Sequence, residues 1–204
     1  MFCLTTETDS AWAPLVLADI PALLADHAHC ELKAASNAIS LVPRLVDHPA
    51  VTRVLTELAR EELLHYEAVL ALLQKRGLRL GAPLEDLYAV ELRKAVRALP
   101  RLPEIPAAVD RLVVAALIEA RSCERFKVLI AALEASGADP EVLALYQDLF
   151  PSEARHYVTF VDLAAECLGG DRKAVEARVG ALAIEEGRIV ARLASSGERC
   201  VIHG

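Results

Sequence analysis

Two glutamate–histidine tetrads, each trailing a lone glutamate by nearly the same distance, constrain this chain more than any other feature. Glu62-Leu63-Leu64-His65 and Glu153-Ala154-Arg155-His156 both read Glu-x-x-His, and Glu31 and Glu119 stand 31 and 34 residues before their respective tetrads. On an α-helix, residues three apart share a face, so each tetrad aims a carboxylate and an imidazole at one point. A tetrad alone is a weak signal, as the look-alike Asp26-x-x-His29 shows. The lone glutamates make it strong. In an antiparallel helical hairpin, residues at equal height lie symmetrically about the turn. The midpoint of Glu31 and Glu62 falls between Val46 and Asp47, and that of Glu119 and Glu153 is Ser136. Both midpoints sit at breaks in the helical pattern, so each lone glutamate is predicted to face its own tetrad. Two such hairpins packed together bring four glutamates and two histidines to one place, the ligand set of the ferritin-like carboxylate bundles.

Proline and glycine mark the helices. One block spans residues 20–42, with Asp19 as its N-cap and Pro21 in the first turn, and a second runs from 49 to Gly77. A shorter block, 84–98, precedes Pro100, Pro103 and Pro106, the strongest linker signal in the chain. Further blocks cover 107–136, 140–168 and, after the N-cap Asp171, 172 to about 197. No segment carries a period-two strand pattern. Leu112, Ala115, Ala116, Glu119, Cys123, Phe126 and Ile130 instead recur at helical steps. Pro151 stands inside the fifth block, where a missing N–H and a clash with the carbonyl of Gln147 predict a kink just before Glu153.

Composition agrees with a helical core. Hydrophobic residues reach 54% but aromatics only 4%, so Leu, Ala and Val fill the interior. A chain of 204 residues buries a sufficient core without a structural metal or disulfides, so any metal is expected to serve chemistry. The expected architecture is all-α: one ferritin-like four-helix bundle with additional helices, spanning residues 1–204. The five cysteines are odd in number and form no CxxC pair, which excludes a zinc knuckle and fits a reducing compartment. The longest stretch free of charged residues and histidine, 34–43, is far short of the roughly 20 residues a membrane span requires. No signal-peptide pattern opens the chain, so a cytoplasmic setting without membrane contact is expected.

A site of four carboxylates and two imidazoles is mostly hard oxygen with borderline nitrogen. Calcium and magnesium rarely use histidine, and structural zinc prefers cysteine. Iron or manganese fits best, and ligand type does not separate the two. Alanines at 28, 35 and 38 on the Glu31 face, and at 115 and 116 before Glu119, leave room beside a metal. A glutamate on such an apolar face is costly to bury unless paired or metal-bound. The bland alternative makes Glu31 and Glu119 surface residues and both histidines ordinary core residues.

The segment Asp26-His27-Ala28-His29-Cys30-Glu31-Leu32-Lys33-Ala34-Ala35-Ser36 resembles the first metal helix of the tRNA 2-methylthio-isopentenyladenosine hydroxylases, the MiaE type. So do residues 60–66, Arg-Glu-Glu-Leu-Leu-His-Tyr, and 152–157, Ser-Glu-Ala-Arg-His-Tyr. Generic ferritins share the tetrads but not the His-x-Cys-Glu-x-Lys-Ala-Ala-Ser run. The resemblance covers about residues 17–168. It implies a non-haem di-iron monooxygenase with two iron ions and dioxygen as co-substrate. Such an enzyme hydroxylates the isopentenyl arm of a hypermodified adenosine next to the tRNA anticodon and draws electrons from a separate, unidentified donor. Matched residue by residue, Glu31, Glu62 with His65, Glu119, and Glu153 with His156 take the metal-ligand positions. Glu61 competes with Glu62, but the spacing of the second tetrad favours Glu62.

The net charge of −7 is the wrong sign for a nucleic-acid binder, so contact with an anticodon arm requires a local basic patch. Arg93, Lys94, Arg97 and Arg101 are the first candidates, and Arg172, Lys173 and Arg178 the second. Ordinary solvated helix faces are the competing explanation for both. Three other functions use the same features: a ferritin-type iron-oxidising or storage protein, a di-iron monooxygenase of a free small molecule, and a metal-free helical interaction module.

Overall fold

The computed structural model describes residues 2–100, 102 and 105–196, which form seven α-helices and no strand. They are α1 (Trp12–Leu17), α2 (Ile20–Leu41), α3 (Pro49–Lys75), α4 (Leu87–Ala98), α5 (Ala107–Ser136), α6 (Pro140–Cys167) and α7 (Arg172–Ser196). A single 3-10 turn, Val42–Arg44, lies between α2 and α3.

Local chemistry sets the boundaries. Asp19, Asp86, Asp139 and Asp171 each accept a backbone N–H three residues on, the capping bond that satisfies an orphaned donor. Asp86 explains why α4 starts at Leu87 rather than at the predicted residue 84: the chain becomes helical only after its cap. Gly137 ends α5 with φ +62°, a left-handed conformation glycine adopts without a Cβ penalty. The helix α6 continues without interruption through Pro151, which is solvent-exposed. The six-residue α1 has no counterpart among the predicted blocks.

The hairpin α2–α3 and the hairpin α5–α6 make the bundle, and their main mutual contact is α3 against α6. Two apolar clusters occupy opposite ends. One includes Leu24, Val69, Leu73, Phe126, Leu133 and Tyr146, closed by Trp12 of α1. The other includes Leu41, Leu55, Leu112 and Phe160, and extends to Leu92 of α4 and Leu182 of α7. Each fully buried large apolar side chain contributes about 1.5–3 kcal/mol. The level between the clusters, on all four bundle helices, holds Glu31, Glu62, Glu119 and Glu153.

An ionic clamp fixes the outer helices. Arg121 of α5 is fully buried and forks onto Glu186 of α7 at 2.8 and 2.9 Å, while Tyr88 of α4 donates to the same carboxylate at 3.0 Å. The same guanidinium donates to the Thr6 carbonyl at 2.9 Å, which ties the N-terminal segment down. Space there is tight, since a Cβ on Gly187 would come within 2.5 Å of the Thr5 and Thr6 hydroxyls. Removing one partner of such a buried pair costs about 3–5 kcal/mol.

Candidate metal centre

The structure brings together the six residues that the spacing singles out. Glu31, Glu62, Glu119 and Glu153 are 4% exposed or less, His65 is 7% and His156 2%. Two overlapping groups of donors form. Ligand atoms of Glu31, Glu62, His65 and Glu153 all lie within 4.8 Å of one another, and so do those of Glu62, Glu119 and His156. Glu62 belongs to both groups. His65 Nδ1 lies 3.6 Å from Glu31, 3.3 Å from Glu62 and 3.5 Å from Glu153. His156 Nδ1 lies 2.9 Å from Glu62 and 4.0 Å from Glu153. Glu62 and Glu153 therefore stand between the two imidazoles, where a carboxylate can bridge two ions.

The donors converge without satisfying one another. Both oxygens of Glu62, Glu153 Oε1 and the Nδ1 atoms of both histidines are buried and lack a hydrogen bond of acceptable geometry, although ion-pair distances are met. A buried polar atom costs free energy unless something pairs with it. Atoms aimed at a shared point rather than at each other fit cations placed among them. Four carboxylates also match the charge of two divalent ions.

Without such ions the cluster holds protons. Burial alone would depress the His65 imidazole, but Glu153, Glu31 and Glu62 overcome it and push it up to about 12. His156 is lifted to about 9 against the same burial, first by Glu62. Burial, reinforced by the charges of Glu153 and Glu62, holds Glu119 well above the usual carboxylate range. Glu31 goes the other way. Burial and Glu153 oppose its ionisation, but His27 and His65 bring it down to about 2.

Two flanking residues lie outside the predicted set. His27 is fully buried with Nε2 2.5 Å from Glu31 Oε1, and its ring stacks on Tyr146 with a centroid distance of 5.1 Å. Its spacing of four before Glu31 is a legible signal that the tetrad pattern overshadowed. Its counterpart before Glu119 is Ala115, so the two halves are not equivalent. His29 of the look-alike tetrad instead lies 3.2 Å from the Gly81 carbonyl, away from the cluster. The competition between Glu61 and Glu62 resolves into two places. Glu62 enters the cluster, while the half-exposed Glu61 reaches His156 Nε2 at 3.3 Å and Arg155 at 2.6 Å. This approach meets the ion-pair distance without hydrogen-bond geometry, so Glu61 holds the outer ring nitrogen by charge and leaves Nδ1 facing the cluster. Glu61→Ala should accordingly weaken metal binding about 10–100-fold in competition with a chromophoric chelator. Unchanged affinity would reduce Glu61 to a surface partner of Arg155.

A cavity of about 1030 Å³ opens from the cluster. Glu31, Glu62, Glu119 and Glu153 line its inner end, and Val114, Ala115, Ile118 and Phe160 form apolar wall. The exposed Arg44, Arg93 and Arg97 line its outer part. Of the first basic candidates, Arg93 and Arg97 thus face the cavity, Lys94 pairs with Glu91 at 2.7 Å, and Arg101 lies outside the described residues. The second group does not form a free patch. Arg178 is buried against Asp110 at 2.7 Å, and Arg172 pairs with Asp162 at 2.7 Å. Cys3, Cys30, Cys123 and Cys167 are free thiols, and among the described residues no helix is long and apolar enough to cross a membrane.

Known proteins resemble this chain in sequence and fold. The family model for tRNA-(MS2IO6A)-hydroxylase (MiaE) matches residues 2–199. The tRNA 2-(methylsulfanyl)-N(6)-isopentenyladenosine(37) hydroxylase of Pseudomonas putida is 45% identical over 157 residues, covering 77% of this chain and 72% of its own length. The Salmonella typhimurium protein of the same name is 30% identical over 208 residues, covering 79% and 73%. A solved structure described as a protein with aldehyde deformylating oxygenase activity from Synechococcus superposes with a TM-score of 0.79 at 35% identity, over 93% of this chain and 89% of that one. The all-α ferritin-like fold and the matched sequence agree: this chain belongs to the MiaE family of tRNA hydroxylases.

Proposed function

We propose that this protein hydroxylates the isopentenyl side chain of 2-methylthio-isopentenyladenosine next to the tRNA anticodon, at a di-iron centre held by Glu31, Glu62, His65, Glu119, Glu153 and His156. The observation that carries the reading is one continuous cavity, with the four clustered carboxylates at its inner end and arginines at its outer end. The naming of the relatives as tRNA hydroxylases supports it over iron storage or a free small-molecule substrate.

When bound, the iron pair supplies the activation of dioxygen that no side chain can provide. One oxygen atom would go to the side chain and the other leave as water, which consumes two protons and two electrons, the electrons from a separate donor. The protein's own residues prepare the place. Glu62, common to both donor groups, would hold both ions, Glu153 would stand with it between the two imidazoles, Glu61 steadies His156 from outside, and His27 donates to Glu31. The apolar wall of Val114, Ile118 and Phe160 packs the isopentenyl arm and keeps water from the reacting carbon. A tRNA is too large to enter, so the modified nucleoside reaches inward while phosphates stay outside, as with other base-modifying enzymes. Arg93 and Arg97 are the outer contacts, Lys94 stands beside them, and Arg101 extends the same run in sequence.

Replacing Arg93 and Arg97 with Ala should flatten the log–log salt dependence of anticodon-arm binding by about 0.7 per lost phosphate contact. Iron content serves as the folding control, and an unchanged slope with intact iron excludes this rim. The function itself is tested in a host lacking its own hydroxylase. Expression of this chain should convert the tRNA nucleoside to its hydroxylated form, seen by mass spectrometry, and a nucleoside pool that stays unhydroxylated rejects the reading.

A further inference from the structure

Arg111 projects from α5 into the cavity, eight residues before Glu119 and hence about 12 Å along the helix axis from the carboxylate cluster. Its half-buried guanidinium donates from Nη2 to Asn37 Oδ1 at 2.8 Å and to Ser40 Oγ at 2.5 Å, both neutral acceptors. Both bonds use Nη2, so Nε and Nη1 carry the remaining donors. Asp110, the adjacent carboxylate, is taken by Arg178 through two bonds of 2.7 and 3.0 Å. Among the described residues no carboxylate forms an ion pair with Arg111.

Two more guanidiniums line the same cavity. Arg44 donates to the Ser40 carbonyl at 2.7 Å, which places it beside the hydroxyl that Arg111 also contacts, and Arg93 reaches in from α4. Burial and then the charges of Arg44 and Arg93 draw the Arg111 guanidinium below its ordinary proton affinity, the direction expected of clustered cations lacking an anion. Among the described residues three arginines are buried: Arg121 pairs with Glu186, Arg178 pairs with Asp110, and Arg125 lies over the Trp12 ring at 5.3 Å, away from this cavity. A fixed guanidinium with free donors and no carboxylate is suited to a bidentate phosphate contact.

We propose that Arg111, with Arg44 and Arg93 beside it, is a phosphate subsite that holds a backbone phosphate of the same nucleotide whose side chain lies against the carboxylate cluster. The inference rests on the hydroxylase reading above and adds a point to it: the target nucleotide is gripped at both ends. The separation of about two helical turns is comparable with one nucleoside carrying an extended isopentenyl arm. The outer contacts at Arg97 then serve phosphates of neighbouring nucleotides.

The test compares equilibrium binding of 2-methylthio-isopentenyladenosine with that of its 5′- and 3′-monophosphates to the metal-loaded protein. Unmodified protein should bind one monophosphate about 10–100-fold tighter than the nucleoside, the range of a charge-assisted contact. Arg111→Gln should collapse that ratio to about one, Arg111→Lys should keep part of it, and the exposed Arg44→Gln should lower it about threefold to tenfold. Melting temperatures establish that each variant is folded. A ratio that survives in folded Arg111→Gln, or that is absent in the unmodified protein, overturns the subsite while leaving the hydroxylase reading intact. A protein that binds and hydroxylates no form of the nucleoside, tRNA included, fails the underlying reading and the subsite with it.

Discussion

Glu62→Ala is expected to abolish binding of both metal ions, whereas Glu31→Ala and Glu119→Ala should each retain about one. Glu62 is the carboxylate common to both donor groups, and its oxygens lie 3.3 Å from His65 Nδ1 and 2.9 Å from His156 Nδ1. Glu31 and Glu119 each belong to one group only. Hydroxylation in Glu62→Ala should fall by more than about 10³-fold, because the remaining side chains have no oxygen chemistry of their own. Iron is counted per chain after anaerobic loading, and circular dichroism checks the fold. Two ions retained in folded Glu62→Ala would show that it does not bridge.

Metal affinity should climb steeply with pH. His65, at about 12, and His156, at about 9, are both protonated near neutrality in the metal-free protein, and Glu119 is held well above the usual carboxylate range. Ions must displace these protons, and each one released adds about tenfold in affinity per pH unit. The two imidazoles alone raise the product of the two binding constants by up to about 10² per unit on the way to pH 9, and the Glu119 proton adds to this at lower pH. The metal-free protein moves oppositely. A histidine whose folded pKa is raised contributes stability fully below its unfolded value. For His156 that contribution is complete below about 6.5 and lost as pH rises through about 9. The gap between metal-loaded and metal-free melting temperatures should therefore widen across this window. Manganese suits the measurement because it avoids oxidation during heating, and a constant gap would contradict the proton assignment.

The parts of the centre that depend on one helix or one hairpin are legible in the sequence. Glu31 and Glu119 are placed by symmetry about their turns, and the aspartate caps mark where helices begin. What depends on packing between hairpins is not legible. Glu61 and Glu62 are neighbours in sequence, and only the register of α3 against α6 sends one inward and the other to His156 Nε2. Arg178 reads as part of an exposed basic run, yet α7 lies on the bundle and turns it onto Asp110. Arg111 is one arginine on a long helix until Asn37 and Ser40 of α2 meet it across the bundle. The helix α1 is too short to show a period, and its burial comes from Trp12 and Ala13 reaching the end of the bundle.

The most direct test supplies the iron-loaded, reduced protein with isotopically labelled dioxygen and tRNA carrying the isopentenyl nucleoside. The tRNA is then digested, and the label is located by mass spectrometry. The account predicts one labelled oxygen atom in the isopentenyl arm of that nucleoside, with no incorporation in Glu62→Ala. Oxygen consumed with iron oxidised, water labelled and the nucleoside unchanged would contradict it, and would return the protein to the iron-oxidising class its bundle also permits.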